Sequence, residues 1–455
     1  MSCRPLPLLA LLLATPLGAQ PRDRAAVARA VDAIVADALK DGRAAGMSVA
    51  VVRGADTIVM KGYGRADVEL DVPTPERAVY EIGSVTKQFT AAAVLQLQEQ
   101  GKLSLDDELT KHLPGYPTQG HRVTLRRLLD HTSGIRGYTE IPEFNRLAPR
   151  DLPRDSLVAL FSARPFDFAP GDAMAYNNSA YFLLGLVVEK ASGMPYARYV
   201  KQQLFDRAGM PDSHYCSNRA IVPRRAHGYE FGPAGLVRAS YMDHTWPFAA
   251  GSLCSTVGDL VAWTRALHGG RILGADAYRQ LVTPDTLNDG TLPRYAKGLV
   301  VGDSIAGRRA IHHGGGIPGF LADLAWFPDD SLVVAVLANT AGPVDPAAIT
   351  ARIAAAVYGE PAPPAAAPFA GRAADYAGEY RGEGRGRELV LLVAADSAGQ
   401  PTLRVNAAAP RPLRHLGGER FAVGGTRLTF VREGGRVTKV RVSQQAGYTV
   451  AVRKE

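Results

Sequence analysis

EIGSVTKQFTAAAVLQLQEQG, residues Glu81 to Gly101, sets a serine and a lysine three positions apart at the head of an alanine-rich run. Gly83 precedes the serine, and Phe89, Ala92, Ala93 and Leu97 then recur at the spacing of a core-facing helical stripe. Residues three apart share a helix face, so the Lys87 amine falls within hydrogen-bond reach of the Ser84 hydroxyl. A serine hydroxyl is a poor nucleophile until a base removes its proton, and burial weakens a lysine's preference for its charged form. Backbone N–H groups at a helix start also point at any anion formed beside them. The same letters fit an N-cap serine followed by a solvated lysine, and the rest of the chain has to decide between the two.

Two further stretches bear on that choice. In AYNNSAYFLLG, Tyr176 and Asn178 directly precede an apolar helix. A phenol near a lysine ionises more easily and passes protons, while an amide orients both substrate and amine; a turn tyrosine with a capping asparagine is the plainer alternative. HHGGGIPGF, His312 to Phe320, is expected to end one strand and precede another. Glycines at Gly314, Gly315 and Gly316 let a substrate backbone lie against an exposed strand edge and free an N–H for an oxyanion hole. A hairpin turn with surface histidines is the bland counterpart.

Outward from these motifs, AAVARAVDAIVADALKDG reads as an amphipathic helix stopping at Gly42. MSVAVVRG and DTIVMKGYG read as paired strands, and residues 84 to 285 as mostly helical. YAKGLVVG, RRAIHHGGG, FLADLAWFP and SLVVAVLANT restore strand signals before a helix from Pro346 to Tyr358. Strands at both ends of a helical middle predict one antiparallel sheet closed by the first and last parts of a single α+β domain, residues 22–358. Residues 359–374, with four prolines and seven alanines, have the composition of a linker. From 375 to 455, about eight short β runs separated by glycine pairs predict a small all-β barrel or sandwich.

With 46% hydrophobic and 21% charged residues, the composition is that of a globular chain and excludes disorder and a multi-span membrane protein. The formal charge is +8, and residues 375–455, with 14 Lys and Arg against 8 Asp and Glu, carry most of it. No basic stripe is interleaved with aromatics, so nucleic acid is not an expected partner. Residues 1–19 combine Arg4, an apolar run from Leu6 to Leu17 and small residues before Gln20, the pattern of a cleaved signal peptide. A periplasmic or secreted protein without a membrane span in its mature form is expected. Its Cys216 and Cys254 would either pair or stay as buried thiols. No His-Glu-x-x-His, zinc-like cysteine cluster or Gly-x-Ser-x-Gly is present, so neither a metal nor a cofactor is expected.

In this order and at these distances, Ser84-Val85-Thr86-Lys87, Tyr176-Asn177-Asn178 and His313-Gly314-Gly315 resemble the serine β-lactamase and penicillin-binding protein superfamily, most of all its class C branch. LLDHTSGI, from Leu128, and PGFLADLAWFPD are similar to that family too, and the likeness covers roughly residues 25 to 358. It implies a β-lactamase/transpeptidase-like fold, with an antiparallel sheet flanked by helices plus a helical subdomain. It also implies Ser84 as the nucleophile of an acyl-enzyme, Lys87 and Tyr176 as the proton-transfer pair, Asn178 as an orienting amide, and the N–H groups of Ser84 and Gly316 as the oxyanion hole. His313, Gly314 and Gly315 would line the substrate.

The family includes β-lactamases, D,D-carboxypeptidases, D-aminopeptidases, esterases and proteins without known turnover. A D-amino acid peptide, an ester or a β-lactam, with peptidoglycan as one source, thus remains open as substrate, as does a silent binding protein that keeps the pocket. One departure matters: His313 stands where typical β-lactamases present a lysine to the substrate carboxylate, and histidine is mostly neutral near pH 7. The tail resembles the lipocalin-like domains of some exported relatives, with roles in substrate access, envelope binding, assembly or simple packing all open.

Overall fold

The structure is a computed structural model that describes residues 23–360, 367–369, 371–384, 387–445 and 447–454. The expected signal peptide, and residues 361–366 and 370 of the expected linker, lie outside the described residues.

Seven strands form the main sheet, in the order Val300–Ile305, Arg308–Ile317, Phe320–Phe327, Leu332–Ala338, Gly46–Arg53, Asp56–Asp67 and Val72–Pro73. The two ends of the domain meet in its middle, with Met47 opposite Ala338 and Arg53 opposite Leu332. Both of these strands are apolar and buried on two faces, which places them centrally. Side chains alternate across the sheet. Met47, Val49 and Val51 pack on Val27, Val31 and Ile353 of the Arg24–Leu39 and Pro346–Tyr358 helices. Ala50 and Val52 face the larger core, which contains Phe89 of the Thr86–Glu99 helix and Trp263 of the Val257–His268 helix, stacked 3.9 Å apart.

The helical middle also contains small strands that the periodicity does not reveal. Tyr80–Glu81, Leu253–Ser255 and His214–Tyr215 make a three-stranded patch beside the serine helix. There Cys216 and Cys254 are joined in a disulfide, with Cα atoms 5.2 Å apart, which decides between the two fates of these cysteines.

One strand boundary needs correction. In YAKGLVVG the strand starts only at Val300; Tyr295 to Leu299 form a loop closed by a Tyr295–Val300 bridge, with Gly298 at φ +73°. The stretch from His312 to Phe320 ends one strand, at Ile317, and leads into the next, at Phe320, as its sequence indicates. Gly314, Gly315 and Gly316 each pair across to Asp323, Ala322 and Leu321, so ladder hydrogen bonding extends the strand through the glycines. The turn sits at Pro318-Gly319.

The tail contributes nine described strands to a nearly closed antiparallel barrel around Tyr380, Leu391, Phe421, Phe430 and Val440. A tenth strand in that sheet, Met174–Ala175, comes from the other half of the chain and pairs with the last one, Gly447–Arg453. No helix among the described residues is long and apolar enough to cross a membrane.

Candidate active site

Ser84 sits in a single 3₁₀ turn, Gly83–Val85, that feeds the Thr86–Glu99 helix. Its side chain remains partly accessible, whereas Lys87 is wholly buried. The Lys87 Nζ donates toward Ser84 Oγ at 3.1 Å, Asn178 Oδ1 at 2.8 Å and the Ala250 carbonyl at 2.8 Å. It also lies 4.6 Å from the centre of the Tyr176 ring. A surface lysine with a capping serine does not fit this geometry.

Tyr176 occupies the step between the Met174–Ala175 strand and the Asn178–Ser192 helix. The helix cap fixes that step: the Asn177 side chain accepts from Ala180 N at 2.8 Å and donates to the Ile135 carbonyl, while Asn177 N–H donates to His131 Nδ1 at 3.1 Å. Asn178, the first helical residue, turns its oxygen to Lys87 and its amide nitrogen to Thr139 Oγ1 at 3.3 Å.

The Arg308–Ile317 strand passes in front of the serine turn. Its neighbour Val300–Ile305 pairs with it only as far as His312, which leaves residues 313–317 with an open edge. Gly314 and Gly316 are exposed there. A Cβ on Gly315 would lie 2.1 Å from Ile82 O, and one on Gly83, which has φ +50°, would lie 2.8 Å from Gly316 N. Only glycines let the two backbones approach so closely. Gly316 thereby brings its amide nitrogen beside the turn that carries Ser84.

His313 is 5% exposed. Burial first, and then the positive charge of Lys87, drive its pKa down to about 3. Its Nε2 stands 3.0 Å from the Tyr295 hydroxyl and its Nδ1 2.5 Å from Gly314 O. A carbonyl can only accept, so the neutral ring carries its proton on Nδ1 and accepts from the phenol at Nε2. This side chain offers no positive charge to a substrate.

All eight sequence-derived residues are therefore gathered around the serine turn. Three supports escaped the sequence reading. The Ala250 carbonyl belongs to a backbone segment that carries no side-chain signal. Tyr295 has the apolar setting of a strand but lies in the loop before Val300. The His131 ring, 4.4 Å from Tyr176 and 4.7 Å from Tyr295, lay in plain view in LLDHTSGI, but its role depends on packing. The loop after Tyr295 presses on the serine helix, where a Cβ on Gly298 would meet Lys87 O at 2.7 Å.

The profile of the family described as Beta-lactamase matches residues 31–358, well over half of the sequence. The chain belongs to the Beta-lactamase family. Within that family it is similar to Penicillin-binding protein 4* of Bacillus subtilis (strain 168), 28% identical over 307 residues that make up 64% of this chain and 67% of the relative. A second Bacillus subtilis relative, putative penicillin-binding protein PbpX, is 29% identical over 55% of this chain and 61% of its own length, so part of each relative lies beyond the match. Among solved structures, a D-stereospecific amidohydrolase from Streptomyces sp. is 28% identical with a TM-score of 0.62, covering 74% of this chain and 98% of that one. SurE is 25% identical with a TM-score of 0.66 and covers 95% of this chain and 100% of that one, so the likeness extends into the barrel. As a Beta-lactamase family member with an accessible serine and a buried lysine, the protein is a serine hydrolase.

Proposed function

We propose that the protein is an exported, class C-like hydrolase that cleaves amides or esters of D-amino acid type through an acyl-enzyme on Ser84. The observation that carries this reading is the buried Lys87 amine, held between Ser84 Oγ and Asn178 Oδ1. In the reaction, Ser84 Oγ bonds to the substrate carbonyl carbon as its proton passes to the Lys87–Tyr176 pair. The oxyanion is held by the N–H groups of Ser84 and Gly316, each donor contributing about 3–4 kcal/mol of transition-state stabilisation. Collapse breaks the bond to the leaving amine or alcohol, which takes the proton from the same pair, and water then repeats the cycle to release the acid.

Substrate backbone would extend the sheet along residues 313–317 and run on toward a cavity of about 390 Å³ lined in part by Glu81, Arg225, Ile317 and Phe320. A neutral His313 offers little to a penicillin carboxylate, which disfavours β-lactams as good substrates. The Streptomyces relative, a D-stereospecific amidohydrolase, points the same way. Catalysis is assigned to residues 22–358, followed by a linker and a 375–455 barrel. Export is supported by the N-terminal pattern and by the disulfide, a bond that persists in oxidising compartments.

A fluorophosphonate probe and a set of D-amino acid amides, p-nitrophenyl esters and nitrocefin test the reading. Label on Ser84 that disappears in Ser84→Ala, with amide or ester turnover above nitrocefin turnover, is the expected result. Equal labelling of Ser84→Ala, or binding of peptidoglycan fragments with no turnover of any of these, would replace it with a silent binding protein.

A further inference from the structure

The barrel and the catalytic half share one sheet, and they share it next to Tyr176. Gly447 pairs with Ala175 and Tyr448 with Met174, so the last strand of the chain borders the residues directly before the phenol. On the other side, Ala175 N–H donates to His131 O at 3.0 Å. Tyr448 is 2% exposed, in a cluster with Met174, Leu287, Tyr295 and Val300, against which Tyr176 itself packs. Its hydroxyl donates to Asp289 Oδ2 at 2.6 Å and lies 3.1 Å from Thr291 Oγ1. Arg441 pairs with the same Asp289 at 3.4 Å, and Arg294 donates to Gly425 O at 2.9 Å. The barrel thus grips the 287–295 segment, whose last residue hydrogen-bonds His313.

We propose that the C-terminal barrel is a positioning element of the Ser84 site, with Tyr448 as its key residue: the last strand fixes the backbone of residues 174–176, and the Tyr448 and Arg441 contacts hold the segment that aims Tyr295 at His313. The inference rests on the hydrolase reading given above. A two-residue strand has little stability of its own and takes its position from its neighbours. Proton transfer is steeply sensitive to that position, a displacement of about 1 Å costing on the order of 10²-fold in rate. Ser84 and Lys87 are held by the 249–255 segment and Asn178, elements outside the barrel. Loosening the barrel contact should therefore slow the chemical step more than it weakens substrate binding.

The test uses the full chain with Tyr448→Ala, Tyr448→Phe and Asp289→Ala. Tyr448→Ala is expected to lower kcat for a p-nitrophenyl ester and the rate of fluorophosphonate labelling by about 10- to 100-fold, with KM within about threefold. Tyr448→Phe keeps the ring and loses only the hydroxyl contact, so it should lose about threefold or less; Asp289→Ala removes both the Tyr448 and the Arg441 contacts from the catalytic side and should lower kcat about fivefold. Amide exchange at residues 174–178 should speed up in Tyr448→Ala. Wild-type kcat in folded Tyr448→Ala, or a loss confined to KM, overturns the proposal. If Tyr448→Ala does not fold, unchanged kcat in folded Asp289→Ala does so. If wild-type Ser84 takes no label at all, the hydrolase reading fails on its own account, and unchanged exchange at 174–178 in the variants then overturns the positioning role separately.

Discussion

Lys87 Nζ and the Ala250 carbonyl stand 2.8 Å apart, so the proposed base of the site is tied to a backbone oxygen 163 residues away in sequence. With Ser84 Oγ and Asn178 Oδ1 as its other partners, the amine is the point where three distant segments meet. Its neighbours make its chemistry hard to replace.

Replacing Lys87 with methionine keeps the volume but removes both the proton acceptor and three hydrogen bonds. Labelling of Ser84 should slow by about 10³-fold or more, and unfilled acceptors should cost about 1–3 kcal/mol of stability. Lys87→Arg should do no better, because a guanidinium does not give up its proton. Near-wild-type labelling of Lys87→Arg, followed by mass spectrometry of the adduct, would remove the lysine from proton transfer.

Tyr176→Phe keeps the ring that packs 4.4 Å from His131 and removes only the hydroxyl. Acylation should fall by roughly 10²- to 10⁴-fold, while the melting temperature moves by about 2 °C or less. Stopped-flow acylation and calorimetry on the same sample separate the two effects. An unchanged acylation constant would leave Lys87 as the sole proton carrier.

Neighbouring glycines should respond differently. A Cβ on Gly315 meets the Ile82 carbonyl at 2.1 Å, and backbone on both sides must move; a Cβ on Gly316 finds its nearest atom, Leu321 Cδ2, at 3.5 Å. Gly315→Ala is expected to lower the melting temperature and to cut labelling about 10²-fold or more by pushing the strand off the serine turn. Gly316→Ala should stay within about threefold of wild type, since its N–H is retained. Equal behaviour of the two variants would contradict the close approach of these backbones.

The folded-state pKa of His313, near 3, lies below the ordinary 6.5 because burial opposes its charged form. The unfolded chain thus binds a proton first as pH falls, and the stability that His313 contributes is complete above pH 6.5 and lost from there toward pH 3. The loss amounts to at most about 1.4 kcal/mol per pH unit. His313→Gln removes that dependence, so urea denaturation from pH 7 to 4 should show a shallower decline in the variant. His268, whose pKa burial also lowers to about 3, is present in both proteins and cancels in the comparison. Parallel pH curves would mean that the ring is reached by solvent.

Much of the site was legible because its chemistry is local. Ser84 and Lys87 are one helical turn apart, Asn177 caps the helix that Asn178 begins, and the three glycines are contiguous, so spacing alone relates them. The central strands were legible as well, since a strand buried on two faces has to be apolar throughout. The strand start before Val300 was misplaced because Tyr295 and Leu299 are buried in a loop, and periodicity registers burial without distinguishing its cause. The small strands beside the serine helix were missed for a related reason: two or three residues are too few to show a period.

The sequence by itself determined which residue types could react, the order of the sheet's two closing ends and the all-β character of the tail. Tertiary structure alone decided that Cys216 and Cys254 pair, that Ala250 O and His131 support the reacting groups, and that the last strand of the barrel lies against Met174 and Ala175. Those contacts join residues tens to hundreds of positions apart. Their energies come from backbone carbonyls, ring packing and strand edges, which every residue or every aromatic side chain can supply, so no letter in the sequence marks them out in advance.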